Sequence, residues 1–243
     1  MTTPYYSDEF VTLYHGDCLD VLPTLSGVDL VLTSPPYNLN GDGWNTGGPG
    51  KEWAALASGY HDHADDMPHF SYVEWQRAVI GACWAALSDN GAIFYNHKPI
   101  ARGGSIRLPL ELNPDLPLRQ IIIWDRGSGF CRNLTHFVPS HEWVLLLAKP
   151  AFRINTRSID DVWRIPFETG SEHPAPFPMA LASRAIGSTD AKTVMDPFAG
   201  SGTTLVAAKR LGRKAIGMER SERYCEIAAK RLAQGVLDFG AAS

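Results

Sequence analysis

The chain has 243 residues, 44% hydrophobic and 20% charged, which suits one large α/β domain or two small ones with a real core and excludes a disordered chain. No apolar run approaches the roughly 18 to 20 residues that cross a bilayer, and the opening MTTPYYSDEF has neither the basic nor the apolar part of a signal peptide. A formal net charge of −4 does not advertise nucleic-acid binding, although Lys98 to Arg164 holds ten Lys/Arg against six Asp/Glu and could present a local basic face.

In chain order, FVTLYHGD (10–17) and VDLVLTSPP (28–36) read as strands. The second ends in Ser-Pro-Pro-Tyr, where two prolines fix φ and restrict the residue before them. Such a turn holds its carbonyls still. Residues 38–68 are rich in Gly, Asn and Asp and read as a long functional loop. SYVEWQRAVIGACWAAL (71–87) reads as a helix, with Ser71 and Glu74 in the form of a capping box and Trp75 and Trp84 in the core. GAIFYNH (91–97) is a strand, with His97 a satisfied histidine at its end. Residues 98–118 are a loop, 119–127 and 142–150 are strands, and 151–176 is a loop ending in EHPAPFPMA. A helix at 177–187 precedes the strand AKTVMDPF (191–198). The helix at 202–211, the strand RKAIGMER (213–220) and the helix at 221–234 complete the pattern, with a second capping box expected at SERYCE. Strands alternating with helices, several of them apolar on both faces, indicate a doubly wound, mostly parallel sheet. Seven strands in a single domain over 1–243 is the expectation.

The loop in VMDPFAGSGTT (194–204) carries the second signal. Gly200 and Gly202 let the backbone turn sharply and approach a ligand. A phosphate loop would need a Gly-Lys-Ser/Thr start. Here no lysine is present, and Asp196 would oppose phosphate. An acid before the loop and Glu219 at the tip of the next strand suit a ligand with a cation and a ribose, and S-adenosylmethionine fits. The cysteines Cys18, Cys83, Cys131 and Cys225 form no CxxC pair and read as reduced thiols of a cytoplasmic protein.

TSPPY and DPFAGSGTT together resemble the catalytic and cofactor motifs of DNA methyltransferases that modify exocyclic amino groups, and their order resembles the β group of that family, with its circularly permuted Rossmann-like fold. HGDCLDVL (15–22) and EHPAPFPMALASRAI (172–186) resemble two further cofactor segments. The resemblance implies a catalytic turn of Ser34, Pro35, Pro36 and Tyr37. It implies a cofactor site drawn from Asp17, Cys18, Ser34, His173, Phe177, Asp196, Pro197, Phe198, Gly200, Ser201, Gly202, Thr203, Glu219 and Arg220. Acceptors on Ser34 and the Pro35 carbonyl would hold the amino hydrogens and favour a pyramidal nitrogen. Tyr37 would stack on an extruded base. No cysteine follows a proline, which argues against transfer to cytosine C5. A serine before the prolines is more frequent in the family's N4-cytosine enzymes, which places cytosine N4 ahead of adenine N6.

Two other readings remain open: the same chemistry on RNA or a protein glutamine, and an inactive regulator that binds DNA or cofactor. Residues 151–171 are too few for a separate recognition domain. Recognition is therefore expected from loops 38–68, 98–118 and 126–140, as well as 151–171. Asn38, Arg102, Arg107, Arg126, Arg132, Arg153 and Arg157 are the candidate DNA contacts. A homodimer is expected, as in much of the β group. HDHADDMPH (61–69) has the composition of a metal site but no closed ligand spacing, and no metal is expected.

Overall fold

The computed structural model describes residues 3–39, 66–102, 104–129, 136–166 and 178–234. The strands are β1 (Tyr6–Ser7), β2 (Val11–His15), β3 (Val28–Thr33), β4 (Leu87–His97), β5 (Ile100–Arg102), β6 (Ser105–Arg107), β7 (Leu118–Asp125), β8 (His141–Ala148), β9 (Val162–Arg164), β10 (Thr193–Asp196) and β11 (Lys214–Glu219). The helices are α1 (Cys18–Val21), α2 (His69–Ala86), α3 (Met179–Gly187), α4 (Thr203–Arg210) and α5 (Glu222–Gln234). Among the described residues, nine strands pair into one sheet in the order β1-β2-β11-β10-β3-β4-β8-β7-β9, and β5 and β6 form a separate hairpin. From β2 to β4 the neighbours are parallel. β8 runs antiparallel to both β4 and β7.

All seven expected strands form. The count of seven is corrected to nine by two short edge strands, β1 and β9. With two and three residues they are too brief to show alternation, and their neighbours recruit them. Both capping boxes are also corrected. α2 begins at His69 behind Pro68, so Ser71 is already helical and cannot take the extended cap conformation. At α5, Tyr224 stands where the box needs an acid, and the Ser221 N–H donates to Glu219 instead.

Alternation along the strands feeds a core on each face. Leu30, Leu32, Val194 and Phe94 pack with α3, α4 and α5. Val31, Met195, Ile93 and Tyr95 pack with α1 and α2. The connections also diverge. β10 passes through α4 to β11 on one side, whereas β3 passes through α2 to β4 on the other. The carboxyl ends of β10 and β3 therefore border the crevice where such sheets bind ligands.

Candidate active site

The two motifs meet at this crevice. The Thr33 hydroxyl, at the end of β3, donates to Asp196 Oδ1, at the end of β10, at 2.6 Å. Asp196 also accepts from the Thr204 hydroxyl at 2.6 Å and from the Phe198 N–H at 3.0 Å. Only 2% of it is exposed, and burial raises its pKa from 3.8 to about 6 despite these bonds. Asp196 thus lies beneath the loop and anchors it.

The loop runs through left-handed backbone at Gly200 (φ 50°) and Gly202 (φ 81°). A Cβ on Gly202 would stand 2.9 Å from the Ala228 Cβ of α5. Ser201 and Thr203 turn toward α5, where Arg231 donates to the Ser201 carbonyl at 2.7 Å, to Ser201 Oγ at 2.9 Å and to Thr203 Oγ1 at 3.3 Å. Glu219 accepts the Gly200 and Ser221 N–H groups, each at 2.8 Å, and burial raises its pKa. Next to it the Gly16 N–H donates to the Glu219 carbonyl at 2.9 Å, which brings in Asp17, the cap of α1 through the Leu19 N–H at 2.9 Å. The Cys18 thiol is in the core, 4% exposed, with its pKa pushed to about 12 by burial, so only its backbone can face the crevice. Pro197 is buried, Phe198 packs edge-on against Trp75 at 5.6 Å, and the Arg220 carbonyl lies 3.0 Å from His15 Nε2. Asp196 beneath the loop and Glu219 beside it suit a cationic ligand with hydroxyls better than a phosphate.

The Ser34–Tyr37 turn forms the other half. The Tyr37 hydroxyl donates to Glu142 Oε2 at 2.8 Å, and Ser34 Oγ lies 2.9 Å from Tyr37 Oη. Asn96 Nδ2 donates to Tyr37 Oη at 2.6 Å and to Glu142 Oε2 at 2.9 Å, and it lies 3.4 Å from Ser34 Oγ. Behind Glu142, Arg126 Nη1 is 3.3 Å from Oε1 and Nη2 donates to the Pro139 carbonyl at 2.7 Å. The Tyr72 hydroxyl donates to the Pro36 carbonyl at 2.7 Å and lies 2.8 Å from His97 Nε2. His97 is 4% exposed, and its ring lies 4.5 Å from that of Tyr37, tilted by 42°. Burial lowers its pKa to about 4 and keeps it neutral at pH 7. A cleft lined by Tyr37, Asn38, Tyr72, His97, Arg107 and Glu111 opens beside the turn.

The expected DNA contacts divide. Arg107 lines the cleft, and Arg102 sits on the same hairpin. Arg126 is engaged behind the turn. Asn38 has φ 56° and donates to the Met67 carbonyl at 2.8 Å, at the approach to α2. Arg153 and Arg157 are not brought to the site. β8 carries the chain away from it, and Asn155 bonds to the Ser188 and Gly187 carbonyls at the amino-end side of β10. His173, Phe177, Arg132 and positions 40–65 lie outside the described residues. Sequence reasoning missed Asn96, Tyr72 and Glu142, and it treated His97 as inert. The polar Asn-His pair closing an apolar strand was the available signal for two of them. Among the described residues, no His/Cys/Asp/Glu group is arranged to hold a metal, and no helix is long and apolar enough to cross a membrane.

Comparisons with known proteins agree with this geometry. The family model for N6/N4 DNA methylases matches residues 28–230. Type II methyltransferase M.ScaI of Streptomyces caespitosus is 28% identical over 94% of this chain and 83% of its own length. Type II methyltransferase M2.LlaDCHI of Lactococcus lactis subsp. cremoris is 28% identical over 97% of this chain and 94% of its own. Among solved structures, TTHA0409 of Thermus thermophilus in complex with S-adenosyl-L-methionine is 25% identical, with a TM-score of 0.67 over 95% of this chain and 99% of that one. The cytosine-N4-specific PvuII DNA methyltransferase has the same fold, with a TM-score of 0.73 at 18% identity over 95% of this chain and 89% of that one.

Proposed function

The chain belongs to the N6/N4 DNA methylase family and is an S-adenosylmethionine-dependent DNA methyltransferase, and from that premise we propose that it methylates the exocyclic amino group of a base extruded from DNA, cytosine N4 before adenine N6. The 2.6 Å bond between Thr33 and Asp196 carries the reading, because it puts the stiff turn and the glycine loop in one crevice.

On the loop side, the backbone at Gly200 and Gly202, Phe198, Asp17 and Glu219 would hold the cofactor, with Asp196 supplying negative charge from below. When bound, the cofactor supplies an electrophilic methyl group on a sulfonium. On the turn side, the amino nitrogen is a poor nucleophile because its lone pair is delocalised into the ring. Ser34 Oγ and the Pro35 carbonyl accept its hydrogens, which localises the lone pair and stabilises the positive charge that develops. The two prolines, and the Tyr72 bond to the Pro36 carbonyl, limit reorganisation. Tyr37 offers its ring to the base, and rate enhancement comes mainly from positioning. The preference for cytosine N4 rests on Ser34.

Like its type II relatives, the chain is read as the modification partner of a restriction system, working in the cytoplasm. A second copy would extend the DNA contacts. Expression in a methylation-free host, followed by nucleoside mass spectrometry and methylation-sensitive sequencing, identifies the base and the site. N4-methylcytosine is expected; N6-methyladenine would overturn the cytosine assignment. Ser34→Ala should lower turnover more than tenfold with cofactor affinity nearly unchanged, and unaltered turnover would remove Ser34 from the mechanism.

A further inference from the structure

The hydroxyls of the catalytic turn are not independent. Glu142 is an ionisable carboxylate, 5% exposed and facing the Arg126 guanidinium, and an ionised carboxylate only accepts. Asn96 Nδ2 only donates. The reverse amide orientation would set its oxygen against Glu142 Oε2 at 2.9 Å. These two neighbours fix every proton in the chain. Tyr37 must give its single proton to Glu142, over 2.8 Å. Having spent it, Tyr37 Oη can only accept from Ser34, over 2.9 Å. Ser34 has then spent its own proton inward and meets the crevice with lone pairs alone.

We propose that Glu142 sets the direction of this hydrogen-bond chain, so that Ser34 accepts and does not donate toward the base, and that it is the final acceptor of the proton released on methylation. The inference deepens the reading above and rests on the target base lying against Ser34. A base that presents an amino group at this point is matched. One that presents a keto oxygen meets two acceptors and is rejected.

The same wire disposes of the proton. The nitrogen lone pair forms the bond to the methyl carbon, the carbon–sulfur bond breaks and its electron pair stays on sulfur. The nitrogen is then cationic and must lose one hydrogen. That proton passes to Ser34 Oγ, the Ser34 proton passes to Tyr37 Oη, and the Tyr37 proton passes to Glu142 Oε2. Both hydroxyls are restored and the carboxylate ends neutral. Atoms and charge balance, and no further reactant is needed. Glu142 acts through Ser34 and Tyr37 and is therefore a positioning residue and proton sink.

The test uses the full-length chain, saturating S-adenosylmethionine and a duplex carrying the site identified by sequencing. Glu142→Gln keeps size and shape but can donate to Tyr37 and reverse the wire. Its single-turnover rate should fall at least tenfold, with melting temperature and calorimetric cofactor affinity near wild type. A second readout separates direction from mere structure. Duplex affinity is compared between the normal target and the keto analogue, uracil for cytosine or hypoxanthine for adenine. The weaker pairing of the analogue affects both proteins equally, so the shift between them reports Ser34. In Glu142→Gln the penalty against the keto base should shrink at least fivefold. Tyr37→Phe, which keeps the ring and cuts the wire, should lose rate to a similar degree and decides the matter if Glu142→Gln does not fold. Wild-type rate in the deciding variant, or an unchanged keto penalty in folded Glu142→Gln, would overturn the proposal. If Ser34→Ala also retains full rate, the placement of the base fails. If Ser34→Ala is impaired and Glu142→Gln is not, only the directed chain fails.

Discussion

The two halves of the crevice use polar side chains in opposite ways. On the loop side they face inward. Asp196 is held by Thr33, Thr204 and the Phe198 N–H, and Ser201 and Thr203 are held by Arg231. What the loop itself offers is glycine backbone and Phe198, with Glu219 and Asp17 beside it. On the turn side, the hydroxyls of Ser34 and Tyr37 form a chain that runs from the crevice to a carboxylate. A ligand that is the same in every turnover can be met by shape and fixed charge. A base that must be admitted, distinguished and deprotonated needs groups that carry protons.

The comparison breaks most visibly at Gly202. Gly202→Val places a branched side chain at φ 81° with its Cβ 2.9 Å from Ala228. A left-handed residue costs about 1–2 kcal/mol, and overpacking adds roughly 1–3 kcal/mol. Calorimetry should show lost cofactor affinity, and a melt should show lower stability. Turnover at saturating cofactor should fall far less than in Ser34→Ala; an equal fall would mean that the halves are not separable.

Titration sharpens the same contrast. Asp196 is raised from 3.8 to about 6, and His97 is lowered from 6.5 to about 4, each worth about 3 kcal/mol. For Asp196 the native state binds the proton more readily than the unfolded chain. Its contribution to stability is therefore gained as pH falls from about 6 toward 3.8. For His97 the unfolded chain binds the proton more readily, so stability is lost as pH falls from 6.5 toward about 4. The two nearly cancel, and wild-type stability should change little from these groups between pH 4 and 6.5. Asp196→Asn should expose the His97 loss on acidification, and His97→Gln should expose the opposite slope. Denaturant melts across this range measure both. Over the same interval a cationic cofactor should bind more tightly as pH rises through about 6, and Asp196→Asn should flatten that rise. Parallel profiles for the two proteins would remove Asp196 as the source of charge.

The smallest expected effect is at the seam. Thr33→Val leaves Asp196 Oδ1 without its hydroxyl donor and should cost about 1–3 kcal/mol by denaturant melt. Because the bond joins the halves, both cofactor affinity and turnover should fall modestly. A change in only one would place Thr33 within a single half.

The legible part of this site is the part governed by local stiffness. Two prolines, two glycines and an acid at a strand end are visible in eleven- and five-residue stretches, and their meeting follows from the strand order. Glu142 was not legible. It opens an antiparallel strand inserted between β4 and β7, and only the register that sets His97 opposite Trp143 brings it to Asn96 and Tyr37. Arg126 shows the converse. By composition it was a DNA contact, yet the β7–β8 pairing, which sets Asp125 opposite His141, hands it to Glu142. Arg153 and Arg157 failed for a directional reason, since a strand running the other way delivers its following loop to the far end of the sheet. His97 was dismissed because burial and a hydrogen bond describe a satisfied core histidine and a working one equally well.

Asn38 clasps the Met67 carbonyl within a residue of the reactive bend. The end of the turn after β3 and the approach to α2 are therefore stapled together at one doorway. Any chain strung between two points fixed in this way can lengthen at little thermodynamic penalty, because closing a longer ring adds only slowly to the entropy lost.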